Sequence, residues 1–199
     1  MNWLAHLYLS EPTVESRIGN LLPDFVPVHQ WAQFPPPFQE GIQRHRQIDA
    51  FTDAHPLVKH HIQHMPSDYK RFGGVLLDMF FDHFLAKDWH RYADVSLWAF
   101  ADEFHRSVAS IESSLPVELQ AKLKKLEQHQ VLCSYATVDG IETALERMGA
   151  RLRRPVALGG AIAVLTTNYN IYQQVFDQFF PELQTHVQQH THRFQTTIL

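Results

Sequence analysis

The sequence predicts an all-α fold, a bundle of seven to nine helices forming one domain over residues 1–199. Three observations predict it. Apolar residues recur with the helical period, and strict alternation is rare. Prolines and Ser, Thr or Asp residues stand where the periodic segments begin. The chain's 199 residues are 45% hydrophobic, with 14 Phe, enough for a sizeable core, and only 19% charged, which argues against disorder.

Taken in order, Asn2 to Leu9 reads as a short helix. Glu11-Pro12-Thr13 starts a second that runs to about Leu22, and Pro23 and Pro27 flank an irregular connection. Pro35-Pro36-Pro37 punctuates the chain before a helix from about Phe38 to Phe51. His55-Pro56 restarts it into a helix through His64. Pro66-Ser67-Asp68 is an N-terminal signal for a long helix from Tyr69 to about Trp89. Ser96 caps the next, to Ser113, and Pro116 opens another through Gln130. Val138 to Leu152 is amphipathic. Pro155 introduces the last helical region, with a break or bend expected near Pro181.

Composition narrows the function. A net charge of −4 is no footprint for general nucleic-acid binding. One cysteine, Cys133, permits no disulfide within the chain and reads as a small buried hydrophobe. The apolar start MNWLAHLYLS is too short to span a bilayer and lacks the basic residues of a signal peptide, and no membrane span is expected elsewhere. A cytoplasmic protein is the expectation. Histidine is prominent, its 14 residues exceeding the 8 glycines.

Four polar constellations stand out in the first half. In LLDMFFDHFLA (76–86), eight of eleven residues are apolar, yet Asp78, Asp82 and His83 sit among them. A helix apolar all round is buried, and a buried charge needs compensation by a cation, a proton or a metal. A salt bridge to Arg44, Arg46 or Arg71 is the structural alternative to a metal site. In RHRQIDAFTD, His45 and Asp49 lie four apart on one helix face, where they can share an ion or form a surface pair; Asp53 follows another four on. Arg44 and Arg46 flank them and suit a phosphate, or are simply solvated. His6 in NWLAHLYL is a ligand candidate or a hydrogen-bonded core histidine. In GNLLPDFV, Asn20 fits a helix C-terminus, and Asp24 is a ligand candidate or a cap.

Together these residues supply nitrogen and oxygen donors suited to Mn²⁺, Fe²⁺ or Zn²⁺, and the missing thiolate set disfavours a structural zinc finger. The histidines of VKHHIQHM (His60, His61, His64) and HVQQHTHRF (His186, His190, His192) read as solvated faces. Gly73-Gly74 and Gly159-Gly160 lack the context of a phosphate-binding loop and suit close helix packing.

The blocks MNWLAHLYLS, GNLLPDFV, GIQRHRQIDAFTDAHP and LLDMFFDHFLA resemble, in order and spacing, those of the acyl carrier protein phosphodiesterases, also called acyl carrier protein hydrolases. The resemblance covers essentially the whole chain and is densest from Met1 to Ala86. It implies an HD-like helical fold, distantly related to the HD-type phosphohydrolases. It implies a hydrolase, a phosphoric diester hydrolase that removes 4′-phosphopantetheine from the serine of holo acyl carrier protein. A divalent metal is implied, Mn²⁺ first, with Mg²⁺, Fe²⁺ or Zn²⁺ as alternatives. On the matching positions, His6, Asp24, His45, Asp78 and Asp82 are carried over as metal ligands. Asp49 and His83 are candidates for orienting water or moving a proton, and Arg46 for neutralising the phosphate.

Tyr8, Pro23 and Gln43 depart from the family pattern, which touches substrate detail more than chemistry. The order Asp82-His83 reverses the usual HD dipeptide, so a ligand-for-ligand transfer from HD enzymes does not follow. Acyl carrier proteins are acidic, as is this chain, so docking needs a local positive surface. Arg151, Arg153 and Arg154 are the densest cluster, with Lys122, Lys124 and Lys125 second; the alternative for each is a solvated face. Two other functions fit the same residues: a nucleotide phosphohydrolase acting on a small phosphoester, and a non-catalytic helical metal-binding protein.

Overall fold

A computed structural model describes residues 1–195, with side chains described to residue 190. It contains α1 (Trp3–Tyr8), α2 (Val14–Phe25), α3 (Pro36–Ala54), α4 (Pro56–Gln63), α5 (Gly73–Lys87), α6 (Leu97–Ile111), α7 (Val117–Gln128), α8 (Val131–Ser134), α9 (Val138–Arg151), α10 (Ile162–Thr167) and α11 (Tyr169–Gln195). Among the described residues there is no strand, so the fold is all-α. Side-chain caps explain three of the starts. Thr13, Ser96 and Thr137 each accept the main-chain N–H three residues on, opening α2, α6 and α9.

Several boundaries differ from the sequence expectation for physical reasons. α2 runs through Pro23 to Phe25, because so near the helix end the ring removes only one main-chain hydrogen bond. The segment after Pro66 does not enter a long helix at Tyr69. Tyr69 N–H bonds to Pro66 O and Phe72 N–H to Tyr69 O, two tight turns, and α5 starts only at Gly73. α11 continues unbroken through Pro181, held by the buried Phe176, Phe179, Phe180 and Leu183 around it.

α5 is the central helix, in contact with α1, α4, α9 and α11. Leu76, Leu77, Met79, Phe80, Phe81, Phe84 and Leu85 are all buried, each side chain contributing about 1.5–3 kcal/mol. Phe81 stacks on Phe179 with ring centroids 5.2 Å apart, tying α5 to α11. α2 and α3 touch main chain to main chain. A Cβ on Gly19 would strike the carbonyl oxygen of Phe38, and one on Gly41 would strike that of Ser16. This close approach brings α2's carbonyl groups within reach of α3's side chains.

Candidate metal centre

α1 has six residues, too few to hold a helix alone. It is held from α5. The Asp82 carboxylate accepts the main-chain N–H groups of Asn2 (3.3 Å), Leu4 (2.8 Å) and Ala5 (3.3 Å). These are unpaired donors of the helix start, so Asp82 caps α1 from another helix. The anchored α1 carries His6, which is fully buried.

His6 meets α2 and α3. Its Nδ1 lies 2.9 Å from Asn20 Oδ1, and its Nε2 lies 3.1 Å from the Met1 carbonyl oxygen and 3.2 Å from Asp49 Oδ1. On α3, His45 Nδ1 donates to the Asn20 main-chain oxygen at 2.7 Å, and its Nε2 lies 2.9 Å from Asp49 Oδ2. The i, i+4 spacing of His45 and Asp49 therefore does place them together. The two imidazoles stack, with centroids 4.0 Å apart and 12° between planes.

Burial opposes charge on both rings. At His6 it prevails, and the neighbouring His45 and Met1 ammonium add to it, so the pKa is lowered. At His45 burial is overridden, chiefly by Asp49 and with help from Asp24, and the pKa is raised. Burial alone would raise Asp49, but His45, His6 and the ammonium hold it well below the usual carboxylate range. The ammonium lies 3.0 Å from Asp78 Oδ1 and 3.6 Å from Asp49 Oδ1. Burial works against its charge, yet Asp78 and Asp49 lift its pKa to about 10. Burial raises Asp78 despite that partner.

The donor set fits a divalent cation. One nitrogen each of His6 and His45 and an Asp49 oxygen all lie within 4.8 Å of one another, and Nε2 is the nitrogen each ring turns toward Asp49. Both histidines are held at Nδ1 by carbonyl oxygens, as metal-ligating imidazoles usually are. A neutral His6 then turns a lone pair toward two other acceptors, Met1 O and Asp49 Oδ1. In that form acceptors face acceptors, and a cation bound among them would join the Met1 ammonium, 3.6 Å from Asp49 Oδ1, in offsetting their negative potential.

The other sequence candidates lie around or apart from this group. Asp24 is exposed and accepts Trp3 Nε1–H at 3.0 Å, close enough to act on the charge of His45. Asp78 borders the group through the ammonium. Asp82 is not among the three grouped ligands, and its oxygens bond main-chain N–H groups. No arginine pairs with Asp78 or Asp82 among the described residues. His83 faces elsewhere: Nδ1 donates to Tyr135 O at 2.9 Å, and Nε2 accepts the Tyr169 hydroxyl at 2.7 Å. Arg46 is exposed on α3, and Arg151, Arg153 and Arg154 are exposed at and just past the end of α9.

His60 and His64 are exposed on and just past α4, and His186 and His190 lie on α11; the His192 side chain lies outside the described residues. Asn20 was not among the sequence's site candidates, although a buried amide beside Gly19 was a visible signal. Its importance comes from contacts with two rings on two other helices.

Residues 1–183 match the family model described as acyl carrier protein phosphodiesterase. The acyl carrier protein phosphodiesterase of Yersinia pestis is 31% identical, over 94% of this chain and 98% of its own length. That of Pectobacterium atrosepticum is 30% identical, over 92% of this chain and 95% of its own. That of Photorhabdus laumondii is 34% identical, over 91% and 92%. No solved structure matches the chain.

Proposed function

The chain belongs to the acyl carrier protein phosphodiesterase family, a family of phosphoric diester hydrolases, and from that premise we propose that it removes 4′-phosphopantetheine from the serine of holo acyl carrier protein at the His6, His45 and Asp49 group. The observation that carries the siting is the convergence of His6 Nε2 and His45 Nε2 on the two oxygens of Asp49, with both rings held at Nδ1. Mn²⁺ is the ion we propose; the same nitrogen and oxygen donors also suit Fe²⁺ or Zn²⁺, and suit the oxygen-preferring Mg²⁺ less. Such an ion would polarise a phosphoryl oxygen and make nearby water more acidic.

The chain's own groups do the rest. His6 and His45 hold the charge through Nε2. Asp49 is ionised throughout the neutral range and is suited to orient the attacking water. Asp78 is pushed the other way, so of the two carboxyls it is better suited to return a proton to the leaving serine oxygen. Arg46, exposed and next to His45 in the chain, is the guanidinium we assign to neutralising phosphate charge. Asp82 and His83 take supporting roles in this account, as the cap of α1 and as a link between α5 and Tyr135 and Tyr169. Arg151, Arg153 and Arg154 are the proposed landing surface for the acidic carrier protein.

An intact-mass assay tests the reaction. Holo acyl carrier protein is incubated with the protein and Mn²⁺, beside a chelator control. Conversion to the apo mass, lost with chelator, is the expected outcome. A carrier that keeps its arm while free nucleotides are hydrolysed would assign a nucleotide phosphohydrolase instead. Bound Mn²⁺ without turnover on either would leave a metal-binding protein.

A further inference from the structure

We propose that Asn20 is the positioning residue for both imidazoles, fixing His6 and His45 as Nδ1–H tautomers through two different oxygens and so aiming both Nε2 lone pairs at one point. The proposal builds on the metal reading above, but its first test needs no metal.

The hydrogen bonds to Asn20 place a hydrogen on each Nδ1. Asn20 is fully buried in α2. Its Nδ2 lies 2.7 Å from the His6 main-chain oxygen, which has no hydrogen to give, so the NH₂ group must face that oxygen. The same nitrogen lies 2.9 Å from Ser10 Oγ, and Ser10 spends its own hydrogen on His6 O at 2.8 Å, so Oγ is free to accept. With the amide orientation settled, Oδ1 is the atom 2.9 Å from His6 Nδ1, and Nδ1 must carry the hydrogen. The main-chain oxygen of Asn20 also can only accept, so His45 Nδ1, 2.7 Å away, carries one too. In the neutral ring, with its one hydrogen at Nδ1, each Nε2 keeps its lone pair, and both lie within 3.2 Å of an Asp49 oxygen.

The two clamps differ in what a substitution removes. His45 is held by a main-chain oxygen that any residue supplies. His6 is held by the amide side chain alone. Changing Asn20 should therefore release His6 and spare the His45 tautomer. Ordinary loss of packing would not make that distinction.

The test is long-range ¹H–¹⁵N correlation on metal-free protein labelled at histidine nitrogen, at a pH where both rings are neutral. His6→Gln and His45→Gln assign the signals. Both rings are expected as Nδ1–H tautomers, and an Nε2–H form at either overturns the proposal. In Asn20→Leu, the His6 signal should leave the Nδ1–H form while His45 keeps it, and Mn²⁺ affinity should fall about 10–100-fold. Asn20→Asp keeps an acceptor and should restore the His6 tautomer and most of the affinity. Equal losses in the two variants would mean that Asn20 only fills space, which overturns its positioning role. Two Nδ1–H rings in a protein that binds no Mn²⁺ would support the tautomer assignment and overturn the metal reading instead.

Discussion

Asp49 reaches both stacked histidines at once, with Oδ1 3.2 Å from His6 Nε2 and Oδ2 2.9 Å from His45 Nε2. One ring comes from α1 and the other from α3, so this carboxylate is shared between two helices far apart in the chain. Asp49→Asn keeps the shape and removes the negative charge. It is expected to lose Mn²⁺ binding by calorimetry and arm removal by intact mass, with an unchanged helical circular dichroism spectrum. Parent-like Mn²⁺ affinity would remove Asp49 from the site.

Asp82→Ala is expected to melt earlier, by about 1–3 kcal/mol in denaturant titration, because it strands buried N–H groups at the start of α1. Unchanged stability with lost Mn²⁺ binding would instead make Asp82 a ligand.

The same residue predicts a pH dependence. Burial pushes the Asp82 carboxyl up from 3.8 to about 7, outweighing the ammonium and the N–H bonds of Leu4 and Ala5. Between those values the folded chain holds a proton that the unfolded chain has released. Its contribution to stability is thus full below about pH 4 and lost as the pH rises to about 7. In metal-free protein, Asp82→Asn should flatten that part of the melting-temperature profile relative to parent. A profile of equal slope would contradict the burial argument.

How much of this was legible follows from the range of each contact. His45 and Asp49 were legible because one helix carries both, and helical spacing fixes their shared face. His6 was legible as an imidazole among apolar neighbours. Asp82 was legible as a buried carboxylate needing compensation, but its partner is main chain. The N–H groups of a short helix some eighty residues earlier leave no mark in side-chain identity. His83 read the same way, and its partners are the Tyr135 carbonyl and the Tyr169 hydroxyl, both on elements distant in sequence. The all-α class came from periodicity. The missed boundaries at Pro23, Tyr69 and Pro181 depend on how many main-chain bonds and buried neighbours surround each residue, which periodicity does not report.

Gly41→Ala tests whether the α2–α3 contact builds the site. Its methyl would meet the Ser16 carbonyl oxygen, which is main chain and has little room to give. A cost of about 1–3 kcal/mol is expected in urea unfolding. Weaker Mn²⁺ binding should accompany it, because the Asn20 to His45 bond spans the same two helices. Weakened stability with intact Mn²⁺ affinity would separate the packing from the site.

Arg151→Glu, Arg153→Glu and Arg154→Glu combined should raise KM for holo acyl carrier protein and flatten its salt dependence, leaving kcat nearly unchanged. Steady-state kinetics at two ionic strengths reads this. An unchanged KM would move the docking surface elsewhere.

The most direct test of the central claim is an anomalous difference map at the manganese edge, from crystals grown with Mn²⁺. A peak in contact with His6 Nε2, His45 Nε2 and an Asp49 oxygen is expected. A peak bound by Asp82 and His83, with none between the two stacked imidazoles, would contradict it.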